Sequence, residues 1–240
     1  MRCVKKLMLT VAALLAAGTL VLGADLNEVQ NKIQKEANIN QLQLRSEDGK
    51  FVLEGVASRL KDKYEAEKVA KKELKADVVN NIAVTGAVNR SDEEIGVDVV
   101  SKIRQDSTSY GNNVFDSLNV AVKDGVVTLA GKVRNAYLFD VAEEGAMEVP
   151  GVRKVVNNIE ILPPSQNDDR LRLAVYRRLK NDDRLFYYFL GARPSINIIV
   201  DRGRVTLSGF VDTEGDRILA GSLVRQMTGV LSVENQLKTD

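Results

Sequence analysis

The sequence predicts an α+β protein: three tandem small domains, each a three-stranded mixed sheet covered on one face by two helices. Three observations carry this. Asp48-Gly49-Lys-Phe-Val-Leu53-Glu-Gly55 recurs as Asp124-Gly125-Val-Val-Thr-Leu129-Ala-Gly131 and as Arg202-Gly203-Arg-Val-Thr-Leu207-Ser-Gly209. Each copy closes alike, through Asn80, Asn157 and Asn235, 25, 26 and 26 residues after Gly55, Gly131 and Gly209. Within a copy the apolar period switches from helical to alternating and back, which marks helix, strand, strand, helix, strand.

Each element has its own signal. Leu171, Ala174, Val175 and Leu179 fall at helical spacing, as do Ile95, Val99 and Ile103, and Ser91-Asp-Glu-Glu94 is a capping box. Leu118, Val120 and Val122, and Ile196, Ile198 and Val200, alternate as a half-buried strand does. Gly49, Gly125 and Gly203 belong to hairpin turns, because glycine tolerates positive φ. On the returning strand Gly55, Gly131 and Gly209 serve close packing or a bulge. Ala66, Ala142 and Ala220, each eleven residues later, let the second helix approach the sheet. Pro150-Gly151 and Thr228-Gly229 end that helix. The closing asparagines fit best as side chains bonding nearby backbone. The domains run over residues 25–88, 91–163 and 167–240, joined by short turn-rich stretches.

Composition narrows the chemistry. Histidine is absent and the only cysteine is Cys3. The first removes the usual general base and the commonest metal ligand, and a single cysteine argues against a thiol nucleophile, a structural zinc site and a disulfide. No metal site and no cofactor are expected. Asp168-Asp169, Asp182-Asp183 and Glu143-Glu144 lack calcium-loop spacing, and Asp168 and Asp182 read as helix caps. No phosphate-binding glycine loop is present, and 34 basic against 33 acidic residues select no nucleic acid.

Residues 1–24 have a basic start, an apolar run from Leu7 to Leu22, and small residues at Gly23 and Ala24. This is the pattern of an export signal cleaved near Gly23 or Ala24, and the run is short for a membrane span. Cleavage leaves 31 basic and 33 acidic residues, a charge of −2 and no cysteine. The expected location is the periplasm or another exported compartment.

The αββαβ order, the Val-x-Asp-Gly-Val-Val-Thr-Leu-x-Gly-x-Val pattern around Gly125 and the Val-Pro-Gly-Val-x-x-Val-x-Asn ending at Asn157 resemble the BON domain of OsmY-like exported envelope proteins. The resemblance spans three tandem copies. The first diverges: it lacks the helix-ending glycine, and its Lys-rich second helix runs straight into Asp77-Val78. The resemblance implies a non-enzymatic envelope protein linked to osmotic or envelope stress, bound to phospholipid surfaces or to envelope proteins. A chaperone-like or protein-interaction module is the alternative.

One segment departs from the repeat. Residues 170–193 hold seven basic and two acidic residues and five of the chain's twelve aromatics. They overlap an insert, Asn181 to Pro194, in the third domain. Phe186, Phe189 and Leu190 would share one face of a short helix, with Tyr187 and Tyr188 off it. Arginine beside Tyr and Phe suits the headgroup zone of an anionic membrane. The candidate membrane or partner contacts are therefore Arg177, Arg178, Arg184, Phe186, Tyr187, Tyr188, Phe189 and Arg193. The competing reading packs the insert over the domain's open edge or a neighbouring unit. Residues 25–90, 91–163 and 167–240 carry +1, −5 and +2, so the middle domain is the poorest match for an anionic surface.

Overall fold

The computed structural model describes residues 25–85, 90–107, 113–190 and 194–239. Residues 1–24, on which the expected export signal falls, and Arg193 lie outside the described residues. The first domain runs α1 (Leu26–Glu36), β1 (Ile39–Glu47), β2 (Lys50–Ala57), α2 (Leu60–Leu74), β3 (Val78–Asn80) and β4 (Ala83–Val84). The second runs α3 (Asp92–Ser107), β5 (Ser117–Lys123), β6 (Val126–Val133), α4 (Ala136–Glu148) and β7 (Lys154–Ile161). The third runs α5 (Gln166–Lys180), β8 (Ile196–Asp201), β9 (Arg204–Val211), α6 (Glu214–Arg225) and β10 (Ser232–Thr239). Short 3-10 turns at Asn113–Phe115 and Phe186–Phe189 precede β5 and β8.

Each domain has its own mixed sheet, in the order β1-β2-β3, β5-β6-β7 and β8-β9-β10, and β4 also pairs β2. In the second and third domains the hairpin is antiparallel. In every domain the closing strand runs parallel to the hairpin's second strand. Both central residues of every hairpin turn have positive φ: Asp48 and Gly49 at 49° and 76°, Asp124 and Gly125 at 52° and 71°, Arg202 and Gly203 at 49° and 75°. That is the two-residue turn whose twist matches the flanking strands.

Gly131 and Gly209 answer a harder constraint. A Cβ on either would lie 2.0 Å from a backbone oxygen, that of Ser117 or Ser195. The first hairpin strand crosses so closely there that no side chain fits. Ala66, Ala142 and Ala220 are fully buried, as the expected helix–sheet approach requires. The closing asparagines of the second and third domains bond backbone on both sides, whereas Asn80 accepts from the Ile82 N–H and donates to the Glu67 carboxylate. Asn157 donates to the Phe139 carbonyl and accepts from the Ile159 N–H, and Asn235 does the same with Arg217 and Leu237. In the first domain Lys75, at φ 50°, takes the left-handed position just after the second helix.

The described chain forms two compact units: residues up to Val56 with Glu65–Ala83, and Ala57–Tyr64 with Val84–Asp240. In the first, Ile33, Ile39, Leu53, Leu74 and Ile82 are fully buried or nearly so. The second holds two cores. Ile95, Val99 and Ile103 of α3 meet Val127 and Leu129 of β6 under Ala142 and Ala146 of α4. Val175 and Leu179 of α5 meet Ile196, Ile198, Val205 and Leu207 under Ala220 and Val224 of α6. Val114 and Phe115, which precede β5 of the second domain, are buried in this last core.

Candidate functional site

The short helix of the aromatic insert is a single 3-10 stretch, Phe186–Phe189, preceded by a turn. The N–H groups of Leu185 and Phe186 donate to the Asp182 carbonyl, and the Asp182 side chain accepts from Arg184 N–H. This turn sets the phase of the aromatic run from Phe186 to Phe189. Leu185, Tyr188 and Phe189 point inward and are buried, while Phe186, Tyr187 and Leu190 are 46%, 40% and 55% exposed. Phe186, Phe189 and Leu190 therefore do not share one face, as the sequence suggested: Phe189 is inside with Tyr188, and Phe186 and Leu190 are outside with Tyr187. Leu185 is the apolar residue that starts the inward stripe.

Tyr188 can enter the core because its hydroxyl is satisfied there. It donates to Asp216 (3.1 Å) and accepts from the Asp212 N–H (2.8 Å). Asp216, itself buried, also accepts from the Thr213 hydroxyl at 2.7 Å and from Arg184 at 2.7 Å. The Thr213 hydrogen bond, against the opposing effect of burial, together with Tyr188 and Arg184, holds its carboxyl below the ordinary carboxylate range. Arg184 is thus tied to α6 although its side chain is 60% exposed. The Tyr187 hydroxyl donates to Asp212 at 2.8 Å, and its ring lies 4.0 Å from that of Tyr188. Tyr188, burial and Asp212 together push the Tyr187 phenol upward, so it stays protonated.

Phe189 leads to the second domain. Its ring meets Tyr176 edge-on at 5.5 Å, and Tyr176 meets Phe115 edge-on at 5.9 Å. The Arg134 guanidinium covers the Phe115 ring at 5.2 Å and also binds the Asp116 carboxylate. Ser117 and Ser208 hydroxyls lie 3.3 Å apart across the same boundary. Tyr188 and Phe189 are accordingly core residues, unavailable as surface contacts, and Phe189 helps join two domains.

Arg177 and Arg178 stand on the exposed face of α5. With Arg170, Leu173 and Ala174, also exposed, they form a stripe at i, i+3, i+4, i+7 and i+8. Among the described residues no ion pair engages Arg170, Arg177 or Arg178. Ala174 was expected inside. Instead Arg172 turns in, donating to the Val200 carbonyl at 2.8 Å and pairing with Asp169, while its Nε is buried without a partner. Burial lowers the Arg172 pKa, with Asp169 opposing. Sequence reading missed Arg170 and Leu173, although the helical period that marks the buried stripe also marks this one.

Asp168 is inside α5 rather than before it; Ser165 is the N-cap. Its carboxylate accepts from the Arg202 and Gly203 N–H groups at 3.0 and 2.9 Å, clasping the hairpin turn. Burial pushes this carboxyl up, but the two N–H groups and Ser165 outweigh it and hold it low. Asp92 of α3 grips Asp124 and Gly125 in the same way. The acidic doublet at 168–169 is thus structural. Among the described residues no helix is long and apolar enough to cross a membrane.

Comparison with known proteins gives one family. The model of the BON domain matches residues 91–163 and 167–240, more than half of the chain. No curated protein matches the chain. Among solved structures, the C-terminal domain of CdsD, a structural protein of the type III secretion system of Chlamydia trachomatis, is similar at 13% identity. That match covers 89% of this chain and 96% of that one, with a TM-score of 0.25. The PrgH periplasmic domain is similar at 13% identity over 84% and 96% of the two chains, with a TM-score of 0.23.

Proposed function

The chain belongs to the BON domain family, and from that premise we propose that it is an exported envelope protein that binds anionic phospholipid surfaces through its third domain. BON domains are generally non-catalytic, and a role in osmotic or envelope stress fits a binder of this kind. The observation that carries the reading is the exposed stripe of α5. Arg170, Arg177 and Arg178 flank Leu173 and Ala174, and no ion pair engages the arginines among the described residues. Phe186, Tyr187 and Leu190 of the same domain are exposed. Basic residues near an anionic leaflet contribute roughly 1 kcal/mol each, and exposed aromatic rings suit headgroup depth.

Flotation with phosphatidylcholine vesicles, with and without phosphatidylglycerol, tests this. Wild type floats with the anionic vesicles, and the triple variant Arg170→Gln, Arg177→Gln, Arg178→Gln loses this at low salt. The double variant Phe186→Ser, Tyr187→Ser floats less at all salt concentrations. Equal flotation of wild type and both variants would move the function away from this surface. Export is tested by N-terminal sequencing of native protein, expected to begin at Ala24 or Asp25.

A protein-interaction role is favoured by a different feature. β10 is eight residues long and, among the described residues, pairs with β9 alone, so its other edge can accept an added strand. Capture of an envelope protein that persists in high salt would support that role.

A further inference from the structure

The second domain keeps an opening where the third is filled. In the third domain the gap between α5 and β8 is closed by Val114 and Phe115, both buried. The matching gap of the second domain, between α3 and β5, is a cavity of about 220 Å³. Val100 and Ile103 of α3 and Leu118 and Val120 of β5 form apolar wall, and Pro194 and Asn197 approach from the third domain. Leu118 and Val120 are only partly buried although they lie on the core side of their strand.

The polar groups of this cavity differ in their engagement. Asp116 is occupied: the Arg134 N–H donates to it at 2.9 Å and the guanidinium lies 3.3 Å away. Lys102, on the neighbouring turn of α3, is held by Glu148 and Asp106. Arg104 lines the cavity and is exposed, and among the described residues it has no ion-pair partner. Among the described residues Arg104 is thus an uncompensated cation beside an apolar wall.

We propose that this interdomain cavity binds a single-chain amphiphile with a carboxylate head, the chain against Val100, Ile103, Leu118 and Val120 and the head on Arg104. The chemistry rests on complementarity. An apolar chain removes exposed wall from water, and a carboxylate meets the guanidinium in a charge-assisted hydrogen bond. The volume lies below the roughly 300–1,000 Å³ of sites for drug-sized ligands, so one short chain fits and a two-chain lipid does not. This site is separate from the α5 stripe, and its test is independent of vesicle binding.

The probes are octanoate and octanol, titrated calorimetrically into the full chain below their aggregation limits. Wild type binds octanoate at least tenfold more tightly than octanol. Arg104→Gln, at an exposed position, weakens octanoate binding about tenfold, the loss of one charge-assisted contact, and leaves octanol unchanged. Val100→Phe, which fills the cavity, abolishes binding of both, with unfolding curves confirming that each variant is folded. The proposal is overturned if wild type binds neither probe, if it does not prefer the carboxylate, or if neither variant changes octanoate binding.

Discussion

The second and third domains share a frame and differ in the segment that leads into the first strand. In the second, the short lead-in ends at Val114 and Phe115, and these side chains leave their own domain to complete the core of the next. In the third, the longer insert folds back, placing Leu185, Tyr188 and Phe189 in its own core. One domain therefore donates apolar residues and keeps a cavity at this gap, and the other receives them and is filled there. The repeat unit and the packing unit thus differ. The end of the sequence motif near Pro163 is no end of the hydrophobic core.

The largest effect tests what the two domains have in common. Gly131→Ala and Gly209→Ala each drive a Cβ to 2.0 Å from a carbonyl oxygen, so each should cost more than about 4 kcal/mol, in the exceptional range for single substitutions. Urea unfolding combined with domain-resolved amide exchange measures both. Equal losses sharpen the view of one frame used twice, and a tolerated alanine in either domain breaks it.

Next comes the donated ring. Phe115→Ala should destabilise the third domain by about 3–5 kcal/mol, as large-to-small core changes do. Amide exchange in β8 and α5 should quicken even though the substitution lies in the second domain. If only the second domain loses protection, the cores are independent.

A smaller effect separates the two by acidity. The Asp216 carboxyl is held low by Thr213, against burial, with help from Tyr188 and Arg184. A carboxyl lowered by folding contributes stability that is fully present above about pH 4 and is lost as pH falls through its depressed folded value. Asp216→Asn should therefore cost the third domain about 1.5–3 kcal/mol at neutral pH, the value of a hydrogen bond to a charged group, and flatten its acid dependence. The second domain should not respond. Asp92 and Asp168 are shifted in the same direction, so both domains should retain a shared acid limb.

Smallest of all, Asn157→Ala and Asn235→Ala should each cost about 1 kcal/mol, since each removes a donor and an acceptor from backbone groups. Thermal unfolding reads both, and similar shifts would confirm that the asparagine is frame rather than site.

Local chemistry was legible in the amino acids alone. Gly49, Gly125 and Gly203 mark turns because positive φ is a property of the residue and its neighbours. The helical and alternating periods mark α3, α5, β5 and β8 for the same reason, and they give the α+β class and the order of elements. The capping box at Ser91 and Glu94 forms as its spacing indicates. What the sequence could not decide was the phase of a short apolar run and the partner of each buried group. Phe186, Tyr187, Tyr188 and Phe189 are near-equivalent by hydrophobicity. Tyr188 is inside because Asp216, 28 residues later, and the Asp212 N–H await its hydroxyl. Arg172 replaces Ala174 inside because a strand carbonyl at Val200 accepts its hydrogen bond. Asp168 is drawn to a turn 34 residues away. Each choice balances the cost of burying a polar group against hydrogen bonds that exist only once distant segments meet, and so it belongs to the tertiary structure.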